Sequence, residues 1–288
     1  MPRPAPIDRE SLLADLAWLA SPELAGRRTG TAGAEAARRI LEARFAEIGL
    51  RPLGASGYRH PFGGETPGIN LVAHLPGADP EAGWLVVVAH YDHLGEEEGE
   101  IFPGADDNAS GVAVLLAAAE ALAELPRSRP VLFVCPDAEE WEQAGSRALV
   151  AAPPVDLDRI DLVVNLDMLS RSAAGELWVA GTAHFPELLP RVAAAAARSA
   201  VAVRTGHDVP DEERADWTEE SDHAAFHAAG VPWLYFGVED HDDYHTPDDT
   251  FERIDVEFFL SAAATVVDFL AGLAGAAAPP GLAGTGDD

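Results

Sequence analysis

Apolar residues along this chain follow two alternating rhythms. WLVVVAH at 84–90, VLFVC at 131–135, DLVVNL at 161–166 and WLYF at 233–236 are close to apolar throughout. Short runs of that kind suit strands covered on both faces. Further strands are predicted at 70–75 and 177–180. Elsewhere the apolar positions recur every three to four residues. In 31–48, Ala37, Ile40, Leu41, Phe45 and Ile48 recur at helical spacing, and Gly49 stops the run. Helices are predicted in the same way at 7–20, 109–124, 146–151, 186–200, 224–229 and 255–273. Asp8 or Ser11 is placed to cap the first, Pro126 ends the helix at 109–124, and Pro186 sits where an early proline is tolerated. Strands alternating with helices predict a largely parallel α/β sheet with helices on both faces. SPELAGRRTGT reads as a turn-rich connector, 204–220 as a solvated polar loop, and 276–288 as a flexible tail behind a single domain at 1–275.

Charge narrows the function classes. The chain has 288 residues, with 49 acidic against 19 basic ones, a formal charge of −30, and every basic residue is arginine. Such a surface repels phosphate backbones and anionic lipid, which argues against nucleic-acid and membrane partners. Cys135 is the only cysteine, so no intrachain disulfide forms, and its place in VLFVC reads as a small buried hydrophobe. The first residues lack an uninterrupted apolar segment, and no span of ~20 apolar residues occurs, so a cytoplasmic location is expected.

Ligands of open α/β sheets gather at the carboxyl ends of strands. His90 ends one predicted strand, Glu139 and Glu140 closely follow another, Asp167 ends a third, and His245 follows the fourth by a short acidic loop. Asp107 opens the loop into the helix at 109–124. Two imidazoles and three carboxylates, His90, Asp107, Glu140, Asp167 and His245, suit a pair of divalent cations that share one carboxylate. Asp92, on the same face of an extended chain as His90, is placed to accept the imidazole's other N–H. Asp248 and Asp249 offer the same to His245. His60, His74, His184, His207, His227 and His241 have no ligand-spaced partner. The acidic runs EEEGE and EDHDD read as solvated rim.

In the blocks SPELAGRRTGT, INLVAHLPG, AHYDHLG, PGADDNASG, AEEWEQAGS, NLDML, SDHAAFHAAGVP and YHTPDDT, the chain resembles the di-zinc metallopeptidases that include bacterial leucyl aminopeptidase and aminopeptidase Y. The resemblance implies a three-layer α/β/α fold of the zinc-exopeptidase type, with a mixed, largely parallel central sheet. It implies two Zn2+ per chain, with Asp107 bridging, His90 and Asp167 on one ion, and Glu140 and His245 on the other. Glu139 would be the general acid/base and Tyr244 a donor to the developing oxyanion. The Asp107–Asn108 peptide would be cis, and His93, His223, Asp106 and Asp222 would support ligands without being ligands. The implied substrates are peptides with a free N-terminus. Glu142 and Gln143 depart from the Gly-Leu pair common after the paired glutamates. Too few residues separate Gly49 from the predicted strand at 70–75 for the protease-associated insert of larger relatives. Other activities on this scaffold are a single-zinc glutaminyl cyclase-like acyltransferase, a carboxypeptidase or amidohydrolase, and a non-catalytic binding module.

Overall fold

Side-chain caps set several helix boundaries in the computed structural model, which describes residues 7–64, 67–210 and 214–275. The tail at 276–288 lies outside the described residues. Helix α1 (Arg9–Leu19) begins at Asp8, whose carboxylate accepts the Glu10 N–H. Helix α2 (Ala32–Ile48) begins at Thr31, whose hydroxyl accepts the Ala34 N–H, and ends on Gly49 at φ 84°. The connector between them, Pro22–Arg27, places Ala25, Gly26 and Arg27 at φ 44°, 66° and 52° in succession. Only glycine takes that conformation freely. A Cβ on Gly26 would lie 2.5 Å from the carbonyl oxygens of Gly95 and Phe102, so this turn is pressed against another backbone.

Strands β1 (Arg51–Pro52) and β2 (Arg59–Phe62) lie along one edge of β3 (Gly68–Leu75), antiparallel to it. The chain continues through β4 (Trp84–Val88), a hairpin of β5 (Gly95–Glu97) and β6 (Glu100–Phe102), α3 (Gly111–Ala123), β7 (Val131–Cys135) and α4 (Ala144–Ala151). It then forms β8 (Ile160–Leu166), β9 (Glu176–Ala180), α5 (Leu189–Ala196), β10 (Ala202–Thr205), α6 (His223–Ala228), β11 (Trp233–Gly237) and α7 (Val256–Ala274). The main sheet runs β1-β3-β7-β4-β8-β11-β9-β10, with β2 also on β3. Its centre, β7-β4-β8-β11, is parallel. Strands β3 and β9 run against it on either side.

Alternation within the apolar runs explains their composition. Leu85 and Val87 of β4 enter a core shared with α1, α2, α3, α5 and α7, while Val86 and Val88 enter a second core beneath α4 and α6. The result is the expected three-layer α/β/α arrangement around a mixed sheet.

Two expectations change. The helix predicted over 186–200 opens as a tight turn at Pro186–Leu188, and α5 ends at Ala196. Near that end the Ser199 hydroxyl accepts the Val201 N–H and donates to the Val201 carbonyl, a local alternative to helical bonding. Helix α7, contrary to the expected lack of any such span, is long and apolar enough on length and composition to cross a membrane. Phe259, Ala263, Val266 and Leu270 are buried, and α7 packs on α3 and α5 as a core helix.

Candidate metal centre

The parallel centre of the sheet brings distant residues to one edge. His90 lies just past β4, Glu139 and Glu140 past β7, Asp167 directly after β8, and His245 in the loop beyond β11. Asp107 sits in the tight turn Ala105–Ser110 before α3, and its peptide bond to Asn108 is cis, as the resemblance implies. Asn108 ties this turn to the end of β8, its side chain donating to the Leu166 carbonyl at 2.9 Å and accepting the Gly111 N–H at 3.0 Å. Asp249 was expected beside His245. Instead it braces the Asp107 turn, accepting the backbone N–H groups of Asp106 at 3.0 Å and Asp107 at 3.1 Å.

All five expected ligands meet. The two oxygens of Asp107 face different partners. Oδ1 lies 3.4 Å from His90 Nε2, which is also 3.4 Å from Asp167 Oδ1. Oδ2 lies 3.0 Å from His245 Nε2, itself 3.3 Å from Glu140 Oε2. His93 joins the second side, with Nδ1 2.6 Å from Glu140 Oε1 and 3.6 Å from Asp107 Oδ2. The ligand atoms of His90, Asp107 and Asp167 lie within 4.8 Å of one another, as do those of His93, Asp107 and Glu140. His93, three residues after His90 in the same turn out of β4, reaches this side as a partner of Glu140.

The donor set fits cations. His90 Nε2 and Asp167 Oδ1 are buried and have no hydrogen-bond partner among the described residues. Orphaned atoms of this kind ask for an ion or a water. Burial pushes Asp107 upward in pKa, reinforced by Glu140, and pushes Glu139 well above the carboxylate range against the pull of His90. Burial also opposes the Glu140 carboxylate, but hydrogen bonds from His245 and His93 outweigh it and hold the group far below its usual range. At His245, burial disfavours the cation, and the bonds to Asp107 and Glu140 overcome this, raising it to about 10. Glu140 and His245 thus favour each other's charged forms, and a cation bound here would take over part of that compensation.

The surrounding groups differ from expectation at Asp92. The chain leaves the strand at Val88, so His90 and Asp92 are no longer two positions on one extended face. His90 Nδ1 lies 3.3 Å from the Asp92 carbonyl oxygen and 3.8 Å from its carboxylate, which instead accepts the Glu139 N–H at 3.1 Å. Ser221 donates to Asp167 Oδ2 at 2.7 Å. Tyr244 is half-buried and stacks on His245, with ring centroids 3.9 Å apart. Burial, then the negative field of Asp107 and Asp167, pushes its hydroxyl far up and keeps it a proton donor. Backbone strain gathers here as well: Ala138, Met168 and His245 have φ 59°, 58° and 55°. Such conformations cost about 1–3 kcal/mol each and cluster at functional sites. Glu142, at φ 56°, stands where a glycine would fit without strain.

Comparisons with known proteins agree with this geometry. The chain is 32% identical over 185 residues to aminopeptidase YwaD of Bacillus subtilis, covering 60% of this chain and 37% of that protein. It spans less than two fifths of the length of the curated relatives it matches. Among solved structures it superposes on BSAP, a zinc aminopeptidase from Bacillus subtilis, with TM-score 0.75 at 17% identity, over 95% of this chain and 98% of that one. A glutaminyl cyclase from Porphyromonas gingivalis matches with TM-score 0.75 at 19% identity, over 93% of this chain and 99% of that one. These likenesses give the fold. Membership is decided by the family model, which matches residues 70–270, more than two thirds of the chain and all five cluster residues: the chain belongs to Peptidase family M28.

Proposed function

We propose that this chain is a zinc-dependent aminopeptidase that holds two zinc ions and removes N-terminal residues from peptides. The observation that carries the reading is the division of Asp107, one oxygen toward His90 and Asp167 and the other toward Glu140 and His245. A carboxylate so placed suits a bridge between two cations. His90, Asp167 and Asp107 would hold one ion; Glu140, His245 and Asp107 the other. Bound there, divalent cations supply Lewis acidity, polarising a carbonyl oxygen and acidifying water. The aminopeptidase names of YwaD and BSAP support this choice of activity within the family.

The chain's own residues supply the rest. Glu139 takes a proton from the attacking water on its carboxylate as the water oxygen bonds to the scissile carbon. The same proton passes to the amine nitrogen as the C–N bond breaks. The Asp92 carboxylate fixes the Glu139 backbone through its N–H. Tyr244, which keeps its proton, donates to the developing oxyanion. The buried carboxylates favour a substrate whose reacting end carries a protonated amine.

A second reading, a single-zinc glutaminyl cyclase-like transferase, is favoured by the superposition on that enzyme. Free and N-acetylated aminoacyl reporters, together with a glutamine-initiated peptide, separate the two when assayed with and without chelator. Losing a paired charge in a desolvated pocket costs on the order of 2–5 kcal/mol, so free amines are expected to react far faster than blocked ones. Chelation is expected to abolish the reaction. Equal rates on free and blocked reporters would rule out the aminopeptidase reading, and cyclisation of the glutamine peptide at one bound zinc would favour the alternative.

A further inference from the structure

Three arginines are buried among the described residues, and two have acids for partners: Arg38 lies 3.1 Å from Asp137 and Arg129 3.0 Å from Asp161. Arg27, the most deeply buried at 1% exposure, has none within ion-pair distance among the described residues. Among the described residues its guanidinium donates to backbone carbonyls alone. Nε bonds Tyr91 at 2.8 Å, Nη1 bonds Leu19 at 2.5 Å and Pro103 at 2.6 Å, and Nη2 bonds Gly104 at 3.0 Å.

Those carbonyls belong to informative places. Tyr91 lies between His90 and Asp92, and Pro103 and Gly104 lead directly into the Asp107 turn. Leu19 is the last residue of α1. A single planar group therefore spans the two loops that carry His90 and Asp107, and anchors both to a helix end. Gly104 has no slack: a Cβ there would meet the Asp107 carbonyl oxygen at 2.1 Å and His93 Cγ at 2.5 Å. Burial lowers Arg27 to about 10, and the nearby Asp107 and Asp249 oppose that loss.

We propose that Arg27 is a positioning residue of the metal centre, its rigid fork setting the spacing between the His90 and Asp107 turns. The inference rests on reading His90 and Asp107 as metal ligands. Geometry and charge push metal affinity in opposite directions. Removing a nearby cation lessens repulsion and tightens cation binding, whereas releasing the clamp weakens it. Lysine keeps the charge but presents its donors from one point, so it cannot reproduce a fork across three chain segments.

The test titrates the metal-stripped 288-residue chain with Zn2+ against a chromogenic chelator. It also records Tm without metal, for the parent, Arg27→Lys, Arg27→Met and the control Arg129→Met. Both Arg27 variants are expected to bind zinc about 10–100-fold more weakly. Arg129→Met is expected to lose Tm with unchanged zinc affinity. Unchanged or tighter zinc binding in the Arg27 variants, beside a Tm loss like that of Arg129→Met, would make Arg27 a packing residue and overturn the inference. If Arg27→Met does not fold, Arg27→Lys carries the same comparison. A parent that takes up no zinc overturns the ligand reading and this inference with it; a parent that binds zinc, with Arg27 variants that match it, overturns this inference alone.

Discussion

Glu139 and Glu140 are adjacent in sequence and differ in what their environments ask of them. Burial raises the proton affinity of Glu139, as suits a group that takes up a proton, while hydrogen bonds from His245 and His93 hold Glu140 ionised. Glu139→Gln is therefore expected to keep its metal and lose at least ~10²-fold in kcat, the scale of a lost general base. Glu140→Gln is expected to lose metal from one side of the cluster, and Asp107→Asn from both, as read by elemental analysis. A Glu139→Gln enzyme with near-normal kcat would refute the role assigned to it. His90, Glu140, Asp167 and His245 were legible because each follows an apolar strand, where sheet topology gathers side chains, and Asp107 because it opens the loop into an apolar helix. Asp92 and Asp249 were misjudged for one shared reason. Spacing along the sequence cannot say where a turn aims its side chains once the strand has ended.

At the scale of elements, Glu35 shows how α2 is fastened to the sheet. Its carboxylate accepts hydrogen bonds from Arg59 of β2 at 3.0 and 3.2 Å and from Arg38 and Arg39 on its own helix. The Arg59 bonds, opposed by burial and helped by Arg38, pull Glu35 from 4.5 down to about 2. A depressed carboxylate stabilises the fold above its unfolded pKa and loses that contribution as pH falls through its folded one. Glu35→Gln is expected to lower the stability of the metal-free protein near neutral pH. The gap to the parent is expected to close as pH falls from 4.5 toward about 2. A gap that stays constant across that window, measured by denaturant unfolding, would show that the ion pairs contribute nothing. Fully buried strands and long amphipathic helices were readable from apolar period alone. Strands β1, β2, β5, β6 and β10 were not, because they are short, partly exposed and polar, and pairing with neighbours is what makes them strands. The positive-φ run at Ala25, Gly26 and Arg27 was equally hidden, since the contacts that hold it come from residues far away in sequence.

The whole molecule joins a large acidic charge, −30 by sequence, to a centre that holds buried carboxylates close together. Such a field repels anions and draws cations toward the molecule, so metal ions and protonated amines are steered to the same edge of the sheet. The five cluster residues come from segments spread between His90 and His245, so the centre exists only when β7, β4, β8 and β11 are in register. Cations that bind the assembled centre alone stabilise that register by mass action.

Cys135 gives this coupling a clock. It is the chain's single thiol, fully buried at the end of β7 between β3 and β4, and burial pushes its pKa far up. A thiol reagent can reach it only after the sheet opens beside the Glu139–Glu140 turn, so the labelling rate reports how readily the sheet opens there. Chelation is expected to speed labelling of the otherwise folded protein, and restored zinc to slow it again. Equal rates with and without metal would mean that the centre rides on the sheet without locking it.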